Sequence, residues 1–130
     1  MSLDRSRLKF AKTHEWVHLE GNSAVIGISD FAVQALTDLV FMQLPAVGRT
    51  LKPGEVFGEV ESVKAVSDLY APLAGTVTAV NSELPNNLEW LSEDPYGKGW
   101  ILKLDLPAGT SLDNLMDTAA YEQHCKSESH

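Results

Sequence analysis

Two short strand-like runs meet at a turn in the stretch EVFGEVESVKAVSDLYAP, which occupies residues 55–72. The runs at residues 55–60 and 67–71 both contain the branched and aromatic side chains that are common in β-strands. The segment between them is short enough to form a hairpin turn, and it contains a single basic residue, Lys64. We therefore expect Lys64 at or beside the tip of a β-hairpin.

Lys64 is the only basic residue between Lys52 and Lys98, and its chain neighbours Val63 and Ala65 are small and apolar. A lysine side chain is ordinarily protonated at neutral pH and is then a poor nucleophile. Acidic neighbours at an exposed turn favour the protonated form further, which disfavours Schiff-base catalysis. Two interpretations remain: a solubilising turn residue, or a lysine that another enzyme acylates. In the second, rigid strands hold the base of a mobile arm away from the body of the protein.

Five further strand-like runs lie outside the hairpin, at residues 15–20, 24–28, 39–44, 76–80 and 100–104. Gly21 and Asn22 separate the first two, and both residue types tolerate the positive φ of a tight hairpin turn. Seven short strands with frequent turn residues predict an all-β sandwich or barrel. A Pro-x-x-Gly frame at residues 45–48 recurs at residues 72–75, an offset of 27 (72 − 45 = 27). The recurrence fits either chance or two motifs related by quasi-two-fold symmetry.

Two short helices are expected beside the strands. Ser29 or Asp30 is a suitable N-cap for a helix that ends at Leu36. A second helix is predicted to begin near Ser111. Its apolar face is predicted to contain Leu112, Leu115, Met116 and Ala119. We expect both helices to cover an end of the barrel and to bind nothing.

The length and net charge of the chain limit the number of its domains and the kinds of partner it can bind. Its 130 residues suffice for one domain that buries roughly two-thirds of its unfolded surface. We expect a flexible segment at residues 1–9, one domain with a short C-terminal helix at residues 10–122, and a polar tail at residues 123–130. The 10 basic and 18 acidic residues give a net charge of −8, which disfavours nucleic acid and anionic membranes as partners. No apolar run approaches the roughly 20 residues of a membrane helix.

Signatures of an enzyme or a metal site are missing from the sequence. Cys125 is the only cysteine, so neither an internal disulfide nor a cysteine-based zinc site can form. There is no glycine-rich phosphate loop and no Gly-x-Ser-x-Gly motif. His14 and His18 lack a third ligand, so we expect no metal site. Because the enzyme motifs are also missing, we expect no self-contained active site. The N-terminus has no apolar stretch for secretion, which indicates a bacterial cytoplasmic protein, or a mitochondrial one only if a transit peptide has been removed.

The hairpin and four other blocks between residues 10 and 121 together resemble the glycine cleavage system H protein family. In the hairpin the resemblance covers ESVKA at residues 61–65, followed by Ser67-Asp68 and Ala71-Pro72-x-x-Gly75. The other blocks are THEWV at residues 13–17, IGISD at residues 26–30, VFMQLP at residues 40–45 and DPYGKGW at residues 94–100. The blocks occur in order and at the spacing of the family.

The resemblance implies an all-β, lipoyl-domain-like barrel-sandwich hybrid, with two small sheets, short helices and Lys64 carrying lipoic acid in amide linkage. It implies a monomeric shuttle that is not itself an enzyme. The arm would carry an aminomethyl group from a pyridoxal-phosphate glycine decarboxylase to a tetrahydrofolate-dependent aminomethyltransferase, and dihydrolipoyl dehydrogenase would reoxidise it. A lipoate ligase or a lipoyl or octanoyl transferase would attach the group. The cofactors would carry out the chemistry, and the protein would tether and position the lipoyl arm.

The same resemblance implies roles for residues away from Lys64. The cleft that receives the arm is predicted to contain Thr13, Glu15, Phe31 and Asp68. A carboxylate in such a cleft suits a protonated amine. Glu61 and Gly48 are predicted recognition points for the lipoylating enzyme. Two alternatives stay open, since Glu15 is equally well a solvated strand residue and Gly48 equally well a simple turn glycine.

Other interpretations differ in what they predict at Lys64. A lipoyl domain of a 2-oxoacid dehydrogenase usually has Asp-Lys-Ala and a biotin carrier Met-Lys-Met, whereas Val63 and Ala65 flank the lysine here. An H-protein-like carrier for lipoate relay or sulfur metabolism would have the same hairpin and stays open. A hydrolase that uses Asp68 or Glu61 lacks a partner base or nucleophile. A structural binding module would leave Lys64 unmodified.

Overall fold

The computed structural model describes residues 8–36, 38–110, 112 and 115–128. Within these residues nine strands form two antiparallel sheets, one of six strands in the order β1-β2-β3-β9-β8-β5 and one of three in the order β4-β6-β7. The strands are β1 (Lys9–Phe10), β2 (Glu15–Glu20), β3 (Ser23–Ile28), β4 (Leu39–Gln43), β5 (Thr50–Leu51), β6 (Val56–Ser62), β7 (Val66–Tyr70), β8 (Gly75–Val80) and β9 (Leu102–Asp105). Neither sheet closes into a barrel among the described strands.

All seven predicted strands are present, each within two residues of its predicted ends. The prediction of an all-β fold with two small sheets and short helices is therefore confirmed. The sequence pattern missed β1 and β5, because a strand of two residues has no room for alternation. The two Pro-x-x-Gly frames lead into β5 and β8, which pair with each other at Thr50 and Thr76.

The two sheets share one hydrophobic core. It contains Ile26 of β3 and Leu102 of β9 from the larger sheet, and Val60 of β6 and Leu69 of β7 from the smaller one. Each of these side chains is at most 3% exposed. Because side chains alternate between the faces of a strand, one face of each sheet contributes to this core. Burial of these side chains against the opposite sheet stabilises the hairpin that carries Lys64.

β2 is buried on both faces along its first half. Val17 packs in the core between the sheets, whereas Trp16 points the opposite way into a second cluster with Phe10 and Tyr121. Glu15 is two residues before Val17 and so shares its face. Gly27 pairs with Trp16 across β2 and β3, and a Cβ at position 27 would lie 2.5 Å from the Trp16 ring. The indole therefore requires glycine at that position.

The first predicted helix is confirmed as α1 (Asp30–Leu36). Ser29 is its N-cap, since its Oγ accepts a hydrogen bond of 3.2 Å from the Ala32 N–H. The structure adds a short helix that the sequence pattern did not predict, α2 (Glu89–Glu93), preceded by a 3₁₀ turn at Leu84–Asn86. No helix in the described part of the chain is long and apolar enough to cross a bilayer.

The prediction of a helix that begins near Ser111 is wrong. The C-terminal helix, α3 (Thr118–Glu128), begins later, and Asp117 caps it by accepting a hydrogen bond of 2.8 Å from the Ala120 N–H. Met116 instead exchanges two backbone hydrogen bonds of 2.8 Å with Phe10 of β1, so its backbone is extended and unavailable to a helix. Ser111 itself lies outside the described residues.

The ends of the domain also differ from the expected boundaries. Leu8 is buried and Lys9 is paired in β1, so two residues assigned to the N-terminal segment belong to the packed body. α3 continues through residues 123–128, which were expected to be a polar tail. Residues 1–7, 129 and 130 lie outside the described part. Helix α3 packs on β1 and β2 through Tyr121, whose ring stacks on that of Phe10 at a centroid distance of 4.2 Å.

Candidate functional site

The tip of the β6–β7 hairpin is a compact turn that presents Lys64. The Ser62 N–H donates a hydrogen bond of 2.8 Å to the Ala65 carbonyl, and Ser62 Oγ accepts one of 3.1 Å from the Ala65 N–H. The Val63 N–H donates a third, of 3.1 Å, to the carbonyl of Asp38, just before β4. These hydrogen bonds hold the backbone on both sides of Lys64, so the position of Lys64 is well defined.

The Lys64 side chain lies in solvent. Val63 and Val66 beside it are 69% and 59% exposed, and Lys64 is exposed as well. It makes no hydrogen bond or ion pair with any residue that the structure describes. Because no described residue holds the amine, it is accessible to an enzyme that encloses the tip and modifies it.

A small cleft lies beside the strand that follows Lys64. Its volume is about 140 Å³. The lining residues are Thr13, His14, Ile28, Phe31, Ala32, Ala35, Leu36, Ser67, Asp68 and Leu69. The structure thus brings together three of the four predicted cleft residues, from the loop before β2, from α1 and from β7. Asp68 is four residues from Lys64, which places their Cα atoms at most about 14 Å apart.

Glu15, the fourth predicted cleft residue, does not line the cleft but directly follows the lining residues Thr13 and His14 in the chain. Its side chain is 0% exposed, so the alternative of a solvated strand residue is wrong. Its Oε1 accepts a hydrogen bond from the Thr13 hydroxyl, and its Oε2 accepts one of 3.1 Å from the Tyr70 N–H. Burial raises the pKa of Glu15 from its usual 4.5 to about 7, although both hydrogen bonds favour the ionised form and act in the opposite direction. The carboxyl group is therefore poised between its two protonation states near neutral pH.

A second, larger cavity of about 560 Å³ also includes Thr13, together with Tyr70 and the residues of the turn before β8. It contains neither Phe31 nor Asp68. Its size alone does not make it the functional site, because among the residues that the structure describes its lining includes no carboxyl group and Lys12 as the only charged side chain. The smaller cleft combines an acidic side chain, a hydroxyl group and an apolar wall.

A model of the family described as Glycine cleavage H-protein matches residues 8–128 of the chain. The chain belongs to this family. Among its relatives, the glycine cleavage system H protein of Rhodopirellula baltica is 57% identical over 129 residues, which cover 96% of this chain and 97% of the relative. That of Symbiobacterium thermophilum is 54% identical over 119 residues, covering 92% and 93%.

A solved structure supports the same relationship. The crystal structure of a glycine cleavage system H protein from Mycobacterium marinum superposes with a TM-score of 0.82 at 37% identity, covering 91% of this chain and 95% of that chain. The H-protein match includes the Lys64 hairpin and all residues that line the small cleft. The resemblance recognised in the sequence is therefore confirmed at the level of the family.

The two residues predicted to guide lipoylation lie in different parts of the chain. Glu61 is half-buried on β6, paired with Phe41 on one side and Val66 on the other, and so adjoins the tip. Gly48 is in the turn before β5, where its φ is +95° and its N–H donates a bond of 2.7 Å to Val77. The positive φ explains glycine there by backbone geometry alone. Their part in recognition stays a prediction.

Sequence reasoning missed His14 as a cleft residue. It lies between Thr13 and Glu15, and its ring is 5.0 Å from that of Phe31. Its φ of +81° is rare for a residue with a side chain, and no local pattern in the sequence predicts it. Among the described residues no group of three histidine, cysteine or acidic side chains could hold a metal ion.

Proposed function

We propose that this H-protein family member is a lipoyl carrier of glycine cleavage and that Lys64 is its attachment site. The observation that carries the proposal is the position of Lys64, exposed at a rigid hairpin tip without a partner among the described residues. An enzyme that acylates a lysine needs access to the amine and a backbone that holds it in one place, and this tip offers both. A structural role for Lys64 would instead require contacts, and its side chain makes no hydrogen bond or ion pair with the residues that the structure describes.

Lipoic acid suits the residues around the tip. An amide bond to Lys64 removes one positive charge and leaves no charge buried, since the side chain lies in solvent. The cleft of about 140 Å³ is smaller than the roughly 300–1,000 Å³ of a typical ligand pocket, so it fits the end of an arm rather than a whole free ligand. Ile28, Ala32 and Leu36 form its apolar wall, and Asp68 supplies an acidic group.

In this proposal the arm moves between separate enzymes. When attached, lipoic acid supplies the disulfide that accepts an aminomethyl group and the dithiol that is later reoxidised. We propose that the chain serves the pyridoxal-phosphate glycine decarboxylase, the tetrahydrofolate-dependent aminomethyltransferase and dihydrolipoyl dehydrogenase in turn. The chain itself is not a catalyst. Its residues hold the arm, and tethering raises the effective concentration of the reacting end at each docked active site.

The cleft protects the end of the arm between these visits. Thr13 and Asp68 place polar groups around an apolar recess, and the buried Glu15 accepts a hydrogen bond from Thr13. An ammonium group at this position would favour the ionised form of Glu15, because an opposite charge nearby lowers the pKa of a carboxyl group. The apolar wall excludes water from the same position. Binding in the cleft would thus slow the hydrolysis of a labile aminomethyl group.

The enzyme that lipoylates Lys64, a lipoate ligase or a lipoyl or octanoyl transferase, would contact Glu61 and the region of Gly48. The net charge of −8 favours partners with basic docking surfaces. We also propose the cytoplasm as the compartment, because the curated relatives named above are bacterial proteins. We expect the carrier to act as a monomer.

Intact mass spectrometry tests the attachment site. The protein is expressed with lipoate and a lipoate ligase, beside the variants Lys64→Arg and Lys52→Arg. Lys52 is the matched control, since it is also an exposed lysine in a turn before a strand. We expect one lipoyl addition in the wild type and in Lys52→Arg, and none in Lys64→Arg. A lipoyl adduct on Lys64→Arg would disprove the assignment.

A further inference from the structure

His14 adopts a strained backbone conformation next to the cleft. Its φ of +81° lies in the left-handed region, and it is the only residue other than glycine in the described part that does so. A side chain in this region is disfavoured by contact between its Cβ and the backbone. Such a conformation persists only where the surrounding structure holds it. The contacts of His14 therefore identify what holds it.

A buried hydroxyl group on α3 reaches His14. The Tyr121 hydroxyl lies 2.7 Å from His14 Nδ1 and 2.5 Å from Ser29 Oγ. Ser29 Oγ in turn accepts the hydrogen bond of the Ala32 N–H that caps α1. The Tyr121 side chain is also hydrogen-bonded to Cys125 on its own helix. The chain of bonds links α3, the start of α1 and the loop before β2.

The backbone of His14 contributes to the same junction. Its N–H donates to the Ala11 carbonyl and its carbonyl accepts from the Ser29 N–H, both at 2.9 Å. His14 also separates Thr13 from Glu15 in the chain. The torsion angles at His14 therefore decide whether the Thr13 hydroxyl can reach the carboxyl group of Glu15, which it does in the structure.

We propose that Tyr121 is a positioning residue for the cleft: its hydroxyl holds His14 in the left-handed conformation and so keeps the Thr13 hydroxyl on the Glu15 carboxyl group. The significance of the cleft rests on the proposed lipoyl function, whereas the link from α3 to Glu15 does not. Through this link the C-terminal helix sets the protonation of a buried acid on β2. The helix thus acts on the cleft in addition to covering the second cluster.

Packing alone does not account for the hydroxyl group. The Tyr121 ring stacks on Phe10 with an angle of 6° between the planes, and phenylalanine would preserve that contact. Tyr121 is 0% exposed, and a buried hydroxyl group is unfavourable unless it is hydrogen-bonded. Burial also raises the pKa of Tyr121, so the hydroxyl stays protonated and keeps its hydrogen to donate. A tyrosine here is explained by its hydrogen bonds to Ser29, His14 and Cys125.

The titration of Glu15 in the unlipoylated protein tests the proposal. It is followed by NMR of ¹³C-labelled glutamate carboxyl groups, and the Glu15 signal is assigned by its loss in Glu15→Gln. The hydrogen bond from Thr13 lowers the pKa of Glu15, so its loss must raise that pKa. We expect Tyr121→Phe to move the midpoint upward by about half a pH unit or more, and Thr13→Val to do the same. The double variant should show no additional shift.

Tyr96→Phe is the matched control. Tyr96 is a buried tyrosine of the same cluster, and its hydroxyl donates to Asp30 Oδ1 at 2.8 Å. We expect it to leave the Glu15 midpoint unchanged even if it lowers stability. A folded Tyr121→Phe protein with the wild-type midpoint would overturn the proposal. Additive shifts in the double variant would overturn it as well.

If Tyr121→Phe does not fold, a second pair of variants tests whether the conformation of His14 controls the pKa of Glu15. His14→Ala and His14→Gly both remove the ring, but only glycine adopts a φ of +81° without strain. We expect a larger upward shift of the Glu15 midpoint in His14→Ala than in His14→Gly, and the reverse order would refute the mechanism. Lys64→Arg should leave the Glu15 midpoint unchanged. A failure of lipoylation at Lys64 is therefore distinguishable from a failure of this inference.

Discussion

The Tyr70 N–H lies 3.1 Å from Oε2 of Glu15, so β7, the hairpin strand that follows Lys64, is hydrogen-bonded to a buried carboxyl group on the other sheet. Tyr70 belongs to β7 of the three-stranded sheet, and Glu15 to β2 of the six-stranded one. This polar contact joins the two sheets, whose shared core is formed by apolar side chains. It connects β7, which carries the cleft residues Ser67, Asp68 and Leu69, to the buried carboxyl group of Glu15.

Stability should depend on pH through Glu15. The folded state retains the proton up to a pH of about 7, whereas an unfolded chain releases it near 4.5. The stabilising contribution is therefore complete below pH 4.5 and is lost as the pH rises to 7, by about 3 kcal/mol for this shift. Glu15→Gln cannot ionise, so its free energy of unfolding should lack this change. Urea denaturation of both proteins between pH 4.5 and 8 measures the difference, and a constant difference across that range would contradict the raised pKa.

Loss of the Glu15 charge should shorten the life of the loaded carrier. The carboxylate offers a counter-ion to a protonated amine at the end of the arm, and the amide of Glu15→Gln does not. We expect Glu15→Gln to accelerate the spontaneous release of formaldehyde from the aminomethyl-loaded protein several-fold, while lipoylation proceeds as in the wild type. Glu20→Gln, an exposed substitution on the same strand, is the control and should decay at the wild-type rate. Equal decay in all three proteins would remove Glu15 from this role.

Recognition by the lipoylating enzyme should depend on Glu61 more than on Glu59. Both are half-buried on β6, but Glu61 adjoins the tip between the exposed side chains of Phe41 and Val66. We expect Glu61→Gln to lower kcat/KM for lipoylation about tenfold, which corresponds to about 1.4 kcal/mol. Glu59→Gln should change it less than about twofold, the size expected of a charge outside the contact. Similar effects of the two substitutions would indicate a diffuse electrostatic attraction in place of a specific contact.

Gly27→Ala should destabilise the fold. A Cβ at position 27 would lie 2.5 Å from the Trp16 ring, and Trp16 is fully buried. Overpacking of this kind typically costs about 1–3 kcal/mol. We expect this loss in the free energy of unfolding by urea denaturation, and a smaller loss when Gly27→Ala is made in a Trp16→Phe background. An unchanged stability would mean that the indole moves without cost.

Short-range patterns in the sequence predicted most of the strands and the hairpin with Lys64. The β6 and β7 runs alternate around a turn, so their pairing needs no distant information. The signal for the helix that begins at Asp30 is also local, because Ser29 caps it by accepting a hydrogen bond from Ala32, three residues later. The start of the last helix was not, since Met116 is held in extended form by Phe10 of β1, more than 100 residues earlier in the chain. Helical spacing could not reveal that competing contact.

The cleft could be predicted only in part. The resemblance pointed to Thr13, Phe31 and Asp68, and the structure brings them to one cavity. The burial of Glu15 had no signature in the sequence, because an acid in the first position of a strand is usually solvated. It is buried because β7 and the loop before β2 cover that end of β2 and supply a hydrogen-bond donor to each carboxyl oxygen.

What the sequence determined by itself is the exposed lysine at a hairpin tip, the two-sheet all-β fold and the family. These depend on residue order over a few positions, where alternation, turn propensity and family motifs are read directly. The tertiary structure alone decided which side chains meet: the buried Glu15 and its partners Thr13 and Tyr70, the strained His14, and the hydroxyl of Tyr121 that reaches it. Such contacts join residues as far apart as 14 and 121, and their free energy depends on burial and orientation that arise only when the two sheets and α3 pack together.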